Sequence, residues 1–127
     1  MKKVMSEFVS SYRDLIVWQK SMHLVKCVYQ ATKQLPKEEL YALTGQMRRA
    51  SVSIPSNIAE GAGRYNTKDY IHFLRIARGS NNELETQLLI CEQLHYLSSE
   101  EVKSQLELCD EINRMLNSML LKLKSKP

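Results

Sequence analysis

The sequence predicts an all-α fold, an antiparallel up-down-up-down bundle of four helices. Three observations predict it: four stretches with apolar residues every three or four positions, few glycines and prolines, and short connections between the stretches. A chain of 127 residues can bury its own core, and 43% apolar and 25% charged residues are ordinary for a globular domain. We expect a flexible segment at residues 1–12, one bundle over 13–124 and a frayed end at 125–127.

The first helix is predicted by an apolar stripe that stops before Pro36. Its members share one side of a helix because they are three or four positions apart. They are Leu15, Trp18, Met22, Val25, Tyr29 and Thr32. The residue before a proline is disfavoured in the α region, so the helix should end near Leu35.

The second helix contains a proline. Its apolar stripe consists of Leu43, Met47, Ala50, Ile54 and Ile58. Pro55 removes one backbone hydrogen bond and crowds the preceding turn, yet the stripe continues in register beyond it. We therefore expect one helix that is kinked at Pro55 and closed by Gly61 and Gly63.

The third helix should run from about residue 67 to residue 96, capped by Asn66 or Thr67. Its apolar face consists of Tyr70, Phe73, Ala77, Leu84, Leu88 and Cys91. Gly79 in its middle costs about 1 kcal/mol relative to alanine. This glycine indicates either close packing or an ordinary surface position.

The fourth helix begins with a capping box, in which Ser98 is followed three residues later by Glu101. Its apolar stripe consists of Val102, Leu106, Cys109, Ile112, Met115 or Leu116, and Met119.

The excess positive charge lies in the middle of the sequence. Between Thr44 and Ser80, six basic and two acidic residues account for the whole formal charge of +4. The basic residues are Arg48, Arg49, Arg64, Lys68, Arg75 and Arg78. A basic helical surface binds phosphates, so these residues are candidate nucleic-acid contacts. No aromatic-rich stacking platform accompanies them, so base readout is not implied.

An alternative interpretation makes the arginines structural, because arginine also favours bidentate pairing with carboxylates inside a bundle. The candidate pairs join Arg48 or Arg49 to Glu60, Glu83 or Glu85. The second helix also carries a polar stripe beside its apolar one, which fits this interpretation. Hydrogen bonds between such stripes could fix the register of a homo-oligomer. The stripe, a candidate oligomer interface, consists of Gln46, Arg49, Ser53, Asn57, Glu60 and Arg64. Chance could also produce it.

The sequence does not indicate an enzyme, a cofactor or a small-molecule substrate. Glu92-x-x-His95 resembles a di-iron ligand pair, but such a site needs a second pair on another helix. The only companion, Asp69-x-x-His72, lies on the same helix, roughly 35 Å away at 1.5 Å per residue. We therefore expect no metal site.

The cysteines and the apolar runs of the sequence indicate where in the cell the protein is expected. Cys27, Cys91 and Cys109 are odd in number and form no CxxC motif, so a disulfide framework is not expected. The apolar runs are far shorter than the ~20 residues of a membrane-spanning helix. We expect a cytoplasmic protein that does not engage a membrane.

One long motif resembles a known family. Residues 46–61, QMRRASVSIPSNIAEG, are similar to the bacterial four-helix-bundle proteins of the 23S rRNA intervening-sequence family. Asp14-Leu15-x-x-Trp18 matches the family's opening, and the resemblance runs from Tyr12 to about Leu123. Further matching residues are Arg64, Phe73, Leu74, Ala77, Arg78, Gly79, Ser80, Glu83, Leu84 and Glu85.

This resemblance implies a four-helix bundle that commonly assembles as a ring-shaped homopentamer. It also implies genes that sometimes lie within intervening sequences of large-subunit ribosomal RNA. A related branch, the accessory proteins of diversity-generating retroelements, is basic and works with a reverse transcriptase and nucleic acid. Fold likeness alone does not supply a role. The sequence therefore favours a non-catalytic homo-oligomer that contacts RNA or another nucleic acid, with a protein-interaction module as the alternative.

Overall fold

A computed structural model of the protein describes residues 11–125. Most of the segment predicted to be flexible, and the last two residues, lie outside this range. Within it the chain forms four α-helices and no strand. They are α1 (Ile16–Thr32), α2 (Leu43–Ala62), α3 (Thr67–Gln93) and α4 (Ser99–Lys124). Two short 3-10 turns, Tyr12–Asp14 and Lys37–Glu39, precede α1 and α2.

The helices enclose one apolar core. In the described range, α1 packs on α2, α2 on α3, α3 on α4 and α4 on α1, and no Cα atoms of diagonally opposed helices come within 8 Å of each other. This closed cycle of neighbours is a four-helix bundle. The largest fully buried side chains are Leu24, Val28, Met47, Ile54, Ile58, Leu74, Leu84, Leu88, Val102, Ile112 and Leu116.

Side-chain contacts between neighbouring helices follow a regular order. For α2 with α3 and for α3 with α4, the residue numbers of the contacting pairs run in opposite directions. The contacts are Met47 with Cys91 and Ser53 with Ser80 between α2 and α3, and Asn81 with Cys109 and Arg78 with Asn117 between α3 and α4.

The buried side of α1 differs from the predicted stripe. Met22 and Tyr29, placed in that stripe, are 45% and 39% exposed. The buried residues of α1 are Val17, Ser21, Leu24, Val28, Ala31 and Thr32, and of these only Thr32 belongs to the predicted stripe. Ser21 can be buried because its hydroxyl donates a 2.8 Å hydrogen bond to the carbonyl of Trp18. The buried residues of α1 are spaced as regularly as the predicted stripe, but they include small and hydroxyl side chains.

Helix α2 continues through Pro55, which is buried. Its predicted stripe is correct from Met47 to Ile58. Gly63 caps the helix, whereas Gly61 lies inside the last turn, and a Cβ there would sit 2.9 Å from Cβ of Phe73. Gly79 of α3 is exposed, and a Cβ added there would have no neighbouring atom within 4 Å, so it is a surface glycine rather than a site of close packing.

Both predicted caps are confirmed. The Asn66 side chain accepts a 2.8 Å hydrogen bond from the backbone N–H of Asp69, and Ser98 with Glu101 forms the capping box. Helix α3 ends at Gln93, a few residues before the predicted end, because His95 has a positive φ of 62°. No helix in the described part of the chain combines the length and apolarity needed to cross a membrane.

Candidate nucleic-acid interface

The start of α3 and the end of α4 border an open groove of about 490 Å³. Its lining residues are Thr67, Lys68, Ile71, His72, Arg75, Leu123 and Lys124. Lys68, His72 and Arg75 are four and three positions apart, so α3 presents them on one side. Lys124 contributes a third cation from α4, after Lys68 and Arg75, and among residues 11–125 no carboxylate lines the groove. We call this surface the basic groove.

Arg64 lies in the loop between α2 and α3. Its Nη2 atom is 2.8 Å from a carboxylate oxygen of Glu60, and both side chains are about half exposed. Its guanidinium carbon lies 4.8 Å from the centroid of the Phe73 ring. That ring is 5.3 Å from the imidazole of His72, which lines the basic groove. Arg64 is thus connected to the groove, although Glu60 neutralises part of its charge.

Arg78 lies one turn beyond the groove on α3. Its Nη1 atom donates a 2.9 Å hydrogen bond to the side-chain oxygen of Asn117 on α4. Because this partner is neutral, the positive charge is retained. From Lys68 to Arg78 the helix advances roughly 15 Å, so α3 carries its cations along the α4 side.

Arg48 and Arg49 are separate from this group. Nε of Arg48 donates a 2.9 Å hydrogen bond to the hydroxyl of Thr32, and its guanidinium lies 4.7 Å from the Tyr29 ring centroid. Arg49 is exposed. Fifteen residues separate Arg49 from Arg64, about 22 Å along a helix. The six predicted cations therefore form two groups rather than one surface.

The alternative ion pairs to Arg48 and Arg49 are not seen in the described range. The salt bridges there join Lys20 to Glu111, Arg64 to Glu60 and Arg114 to Asp110. Of the six predicted cations, only Arg64 takes part in one of them. The charge of the basic groove is therefore not cancelled by these pairs.

The predicted polar stripe of α2 is divided by its surroundings. Ser53 Oγ lies 2.8 Å from Ser80 Oγ on α3, and the amide of Asn57 donates to the carbonyl of Ser53 at 2.8 Å. These two residues thus serve contacts within the chain. The members at the ends of the stripe, Gln46, Arg49, Glu60 and Arg64, are exposed.

The cysteines have different surroundings. Burial raises the pKa of the Cys91 thiol to about 11 and that of Cys109 to about 12, with smaller contributions from Glu39 and Glu85. Buried thiols with raised pKa values are poor nucleophiles. Cys27 is partly exposed, with Sγ 3.5 Å from the His23 ring. Among residues 11–125, no three His, Cys, Asp or Glu side chains are grouped as metal ligands.

Two residues near the groove were not singled out from the sequence. Lys124 belongs to the C-terminal stretch, and only the packing of α4 on α3 brings it to Lys68. Tyr65 is fully exposed in the loop beside Arg64. The sequence did offer a signal for Tyr65, because an aromatic residue in a short loop between two polar residues is exposed to solvent.

Comparisons with known proteins agree with this architecture. The family model described as 23S rRNA-intervening sequence protein matches residues 13–118. A solved structure of a protein of unknown function from the S23 ribosomal protein family of Bacteroides thetaiotaomicron is similar to the chain, with 27% identity and a TM-score of 0.77. The similarity covers 83% of this chain and 98% of that one. No curated protein matches. Because the family model spans most of its length, the chain belongs to the 23S rRNA-intervening sequence protein family.

Proposed function

We propose that the protein is a non-catalytic homo-oligomeric bundle that contacts RNA or another nucleic acid through its basic surface. The observation that carries this proposal is the basic groove, in which Lys68, Arg75 and Lys124 converge and which no carboxylate of the described residues lines. Cations placed this way neutralise phosphates and release counterions, which drives binding independently of sequence. Arg64 and Arg78 flank the groove. Arg49, exposed in the first half of α2 and away from the groove, offers a second contact.

The architecture adds support. The opposed order of contacts between neighbouring helices favours the antiparallel up-down-up-down arrangement. This arrangement places the end of α2, the start of α3 and the end of α4 at one end of the bundle. A kink of α2 at Pro55 is part of the same proposal and follows from the missing backbone donor. The family's name associates it with ribosomal RNA, which favours RNA as the first ligand to try. We place the protein in the cytoplasm.

Binding to unrelated RNAs over a range of salt tests this function. We expect binding near 50 mM salt that weakens steeply towards 200 mM and depends little on sequence, as counterion release requires at roughly these concentrations. Replacing Lys68 and Arg75 by glutamine should make the negative slope of log K against log salt shallower by roughly 1.4 for a single strand. Lys33→Gln, an exposed lysine after α1, is the matched control. No binding at low salt, or an affinity insensitive to salt, would exclude the proposed mode.

A second candidate is a protein-interaction module whose partner is itself or another protein. Exposed apolar side chains on α2 and α3, Val52, Ile76 and Ile90, favour it. The family resemblance implies a pentamer, and self-association would cover such residues. Light scattering measures the particle mass, and a monodisperse monomer with no coupling energy between Arg49 and Glu60 or Glu83 would remove this candidate. A double-mutant cycle between Arg49 and Glu60 or Glu83 would detect coupling across a subunit contact.

A further inference from the structure

Tyr65 is the most exposed large hydrophobic side chain in the described part of the chain. It lies between α2 and α3 with a relative exposure of 105%, so neither helix covers its ring. A tyrosine presented in this way offers a flat apolar face and a polar tip.

The loop that carries Tyr65 is held on both sides. On the α2 side, Gly61 allows the last turn to approach α3 closely, since a Cβ there would lie 2.9 Å from Cδ1 of Tyr70. Arg64 is fixed by Glu60 and by the Phe73 ring. On the α3 side, the Asn66 side chain caps the helix. The tyrosine is therefore displayed from a fixed backbone, which lowers the entropy cost of binding through it.

Tyr65 is also close to the basic groove. Three residues separate it from Lys68, a backbone span of at most about 11 Å. Its neighbour Arg64 stacks on Phe73, which contacts His72 of the groove. An aromatic face beside a row of cations is the arrangement by which proteins hold single strands, with the bases on the rings and the phosphates on the cations.

We propose that Tyr65 is a stacking platform for an unpaired base whose neighbouring phosphates lie in the basic groove, so that the preferred ligand is single-stranded nucleic acid. This inference rests on the proposed function and narrows its ligand. In a duplex the bases are paired and stacked, and Tyr65 cannot reach their faces without opening the helix. The sequence showed no aromatic-rich platform, and the structure supplies one fully exposed aromatic side chain, Tyr65, in the loop that leads into the groove.

The chain contains a matched control. Tyr41, in the loop between α1 and α2, is 95% exposed. It follows a 3-10 turn that contains Glu38 and Glu39, whose carboxylates repel phosphates. If exposure alone made a tyrosine bind bases, Tyr41 would serve as well as Tyr65.

The test measures the affinity of a fluorescein-labelled single-stranded adenine-rich RNA and of a labelled duplex for four proteins by fluorescence anisotropy. The proteins are the wild type, Tyr65→Ala, Tyr65→Phe and Tyr41→Ala. Tyr65→Ala should weaken single-strand binding roughly 5- to 100-fold, the range that one base–aromatic stack supports. Its duplex affinity and its salt slope should be unchanged, because no cation is lost. Tyr65→Phe and Tyr41→Ala should bind like the wild type.

The outcomes separate this inference from the proposed function. If the wild type binds both RNAs and Tyr65→Ala binds the single strand equally well, the stacking role is wrong while phosphate binding stands. If the wild type binds neither RNA at low salt, the proposed function fails first. If Tyr65→Ala changes the particle mass in light scattering, Tyr65 is a subunit contact and the stacking role is overturned. Retained mass with a selective loss of single-strand affinity supports it.

Discussion

The guanidinium of Arg64 lies 4.8 Å from the centroid of the Phe73 ring and fastens the end of α2 to the first turns of α3. The contact is possible because Gly61 has no side chain to hold the two helices apart. This contact helps to position the candidate site, because the loop beside it carries Tyr65 and leads directly into Lys68. The packing of α2 on α3 and the geometry of the candidate site thus depend on the same few residues.

Replacing each of two glycines by alanine should change the free energy of unfolding in opposite directions. Gly61→Ala should lower the free energy of unfolding by about 1–3 kcal/mol, because its Cβ would lie 2.9 Å from Phe73 and Tyr70. Gly79→Ala should raise it by about 0.5–1 kcal/mol, because the site is helical, exposed and open. Urea unfolding at one fixed protein concentration measures both. A loss of stability at Gly79 would mean that another molecule fills that space in solution.

Arg48 should prove structural. Arg48→Gln loses the stacking on Tyr29 and alters the hydrogen bond to Thr32, so unfolding should become easier by about 1–2 kcal/mol. The salt slope of RNA binding should stay at the wild-type value, because this side chain is engaged within the protein. Lys68→Gln should show the opposite pattern, with unchanged stability and a smaller slope. The assignment is wrong if Arg48→Gln reduces the slope and leaves stability intact.

His95 occupies a backbone conformation that suits glycine. With a φ of 62°, it follows the end of α3 and donates its N–H to the carbonyl of Glu92. His95→Gly should raise the free energy of unfolding by about 0.5–1 kcal/mol, since glycine reaches this region without a steric cost. Gln93→Gly, at the last helical residue, should lower it by a similar amount. Equal effects at both positions would contradict the capping geometry.

The buried thiols should make the fold sensitive to alkaline pH. Because burial raises the pKa of Cys91 to about 11 and of Cys109 to about 12, the folded state holds these protons more tightly than the unfolded state. The resulting stability is complete below the unfolded value of about 8.5 and is lost as the pH rises through 11 to 12.

Urea unfolding at pH 7 and at pH 10.5 measures this loss. Burial also raises the pKa of Tyr70, which contributes in the same direction. Cys109→Ala isolates the thiol and should show a smaller fall in stability between the two pH values than the wild type. An equal fall in both proteins would mean that Cys109 is accessible to solvent.

The sequence predicted the elements that local interactions determine. The caps at Asn66 and Ser98 are formed by side chains within one turn, and the apolar stripe of α2 is nearly unbroken. Most of the buried side of α1 was missed, because Ser21 and Ala31 carry little hydrophobic signal and only contact with the neighbouring helices shows that they are covered.

The candidate site was predicted in part for the same reason. The charge of α3 is visible in the sequence, because Lys68 and Arg75 follow one another at helical spacing. Their meeting with Lys124 depends on packing between distant parts of the chain. The internal engagement of Arg48 with Thr32 likewise depends on the approach of α1 to α2. Residue type alone could not separate these cations into two groups.

Lysine footprinting with a labelled RNA tests the central claim most directly. The protein is acetylated briefly with and without single-stranded RNA at low salt, and the modification of each lysine is measured by mass spectrometry. The account predicts that Lys68 and Lys124 of the basic groove become protected, while Lys33 and Lys103, exposed elsewhere on the bundle, react as before. Protection of Lys33 and Lys103 with continued reaction at Lys68 and Lys124 would contradict it.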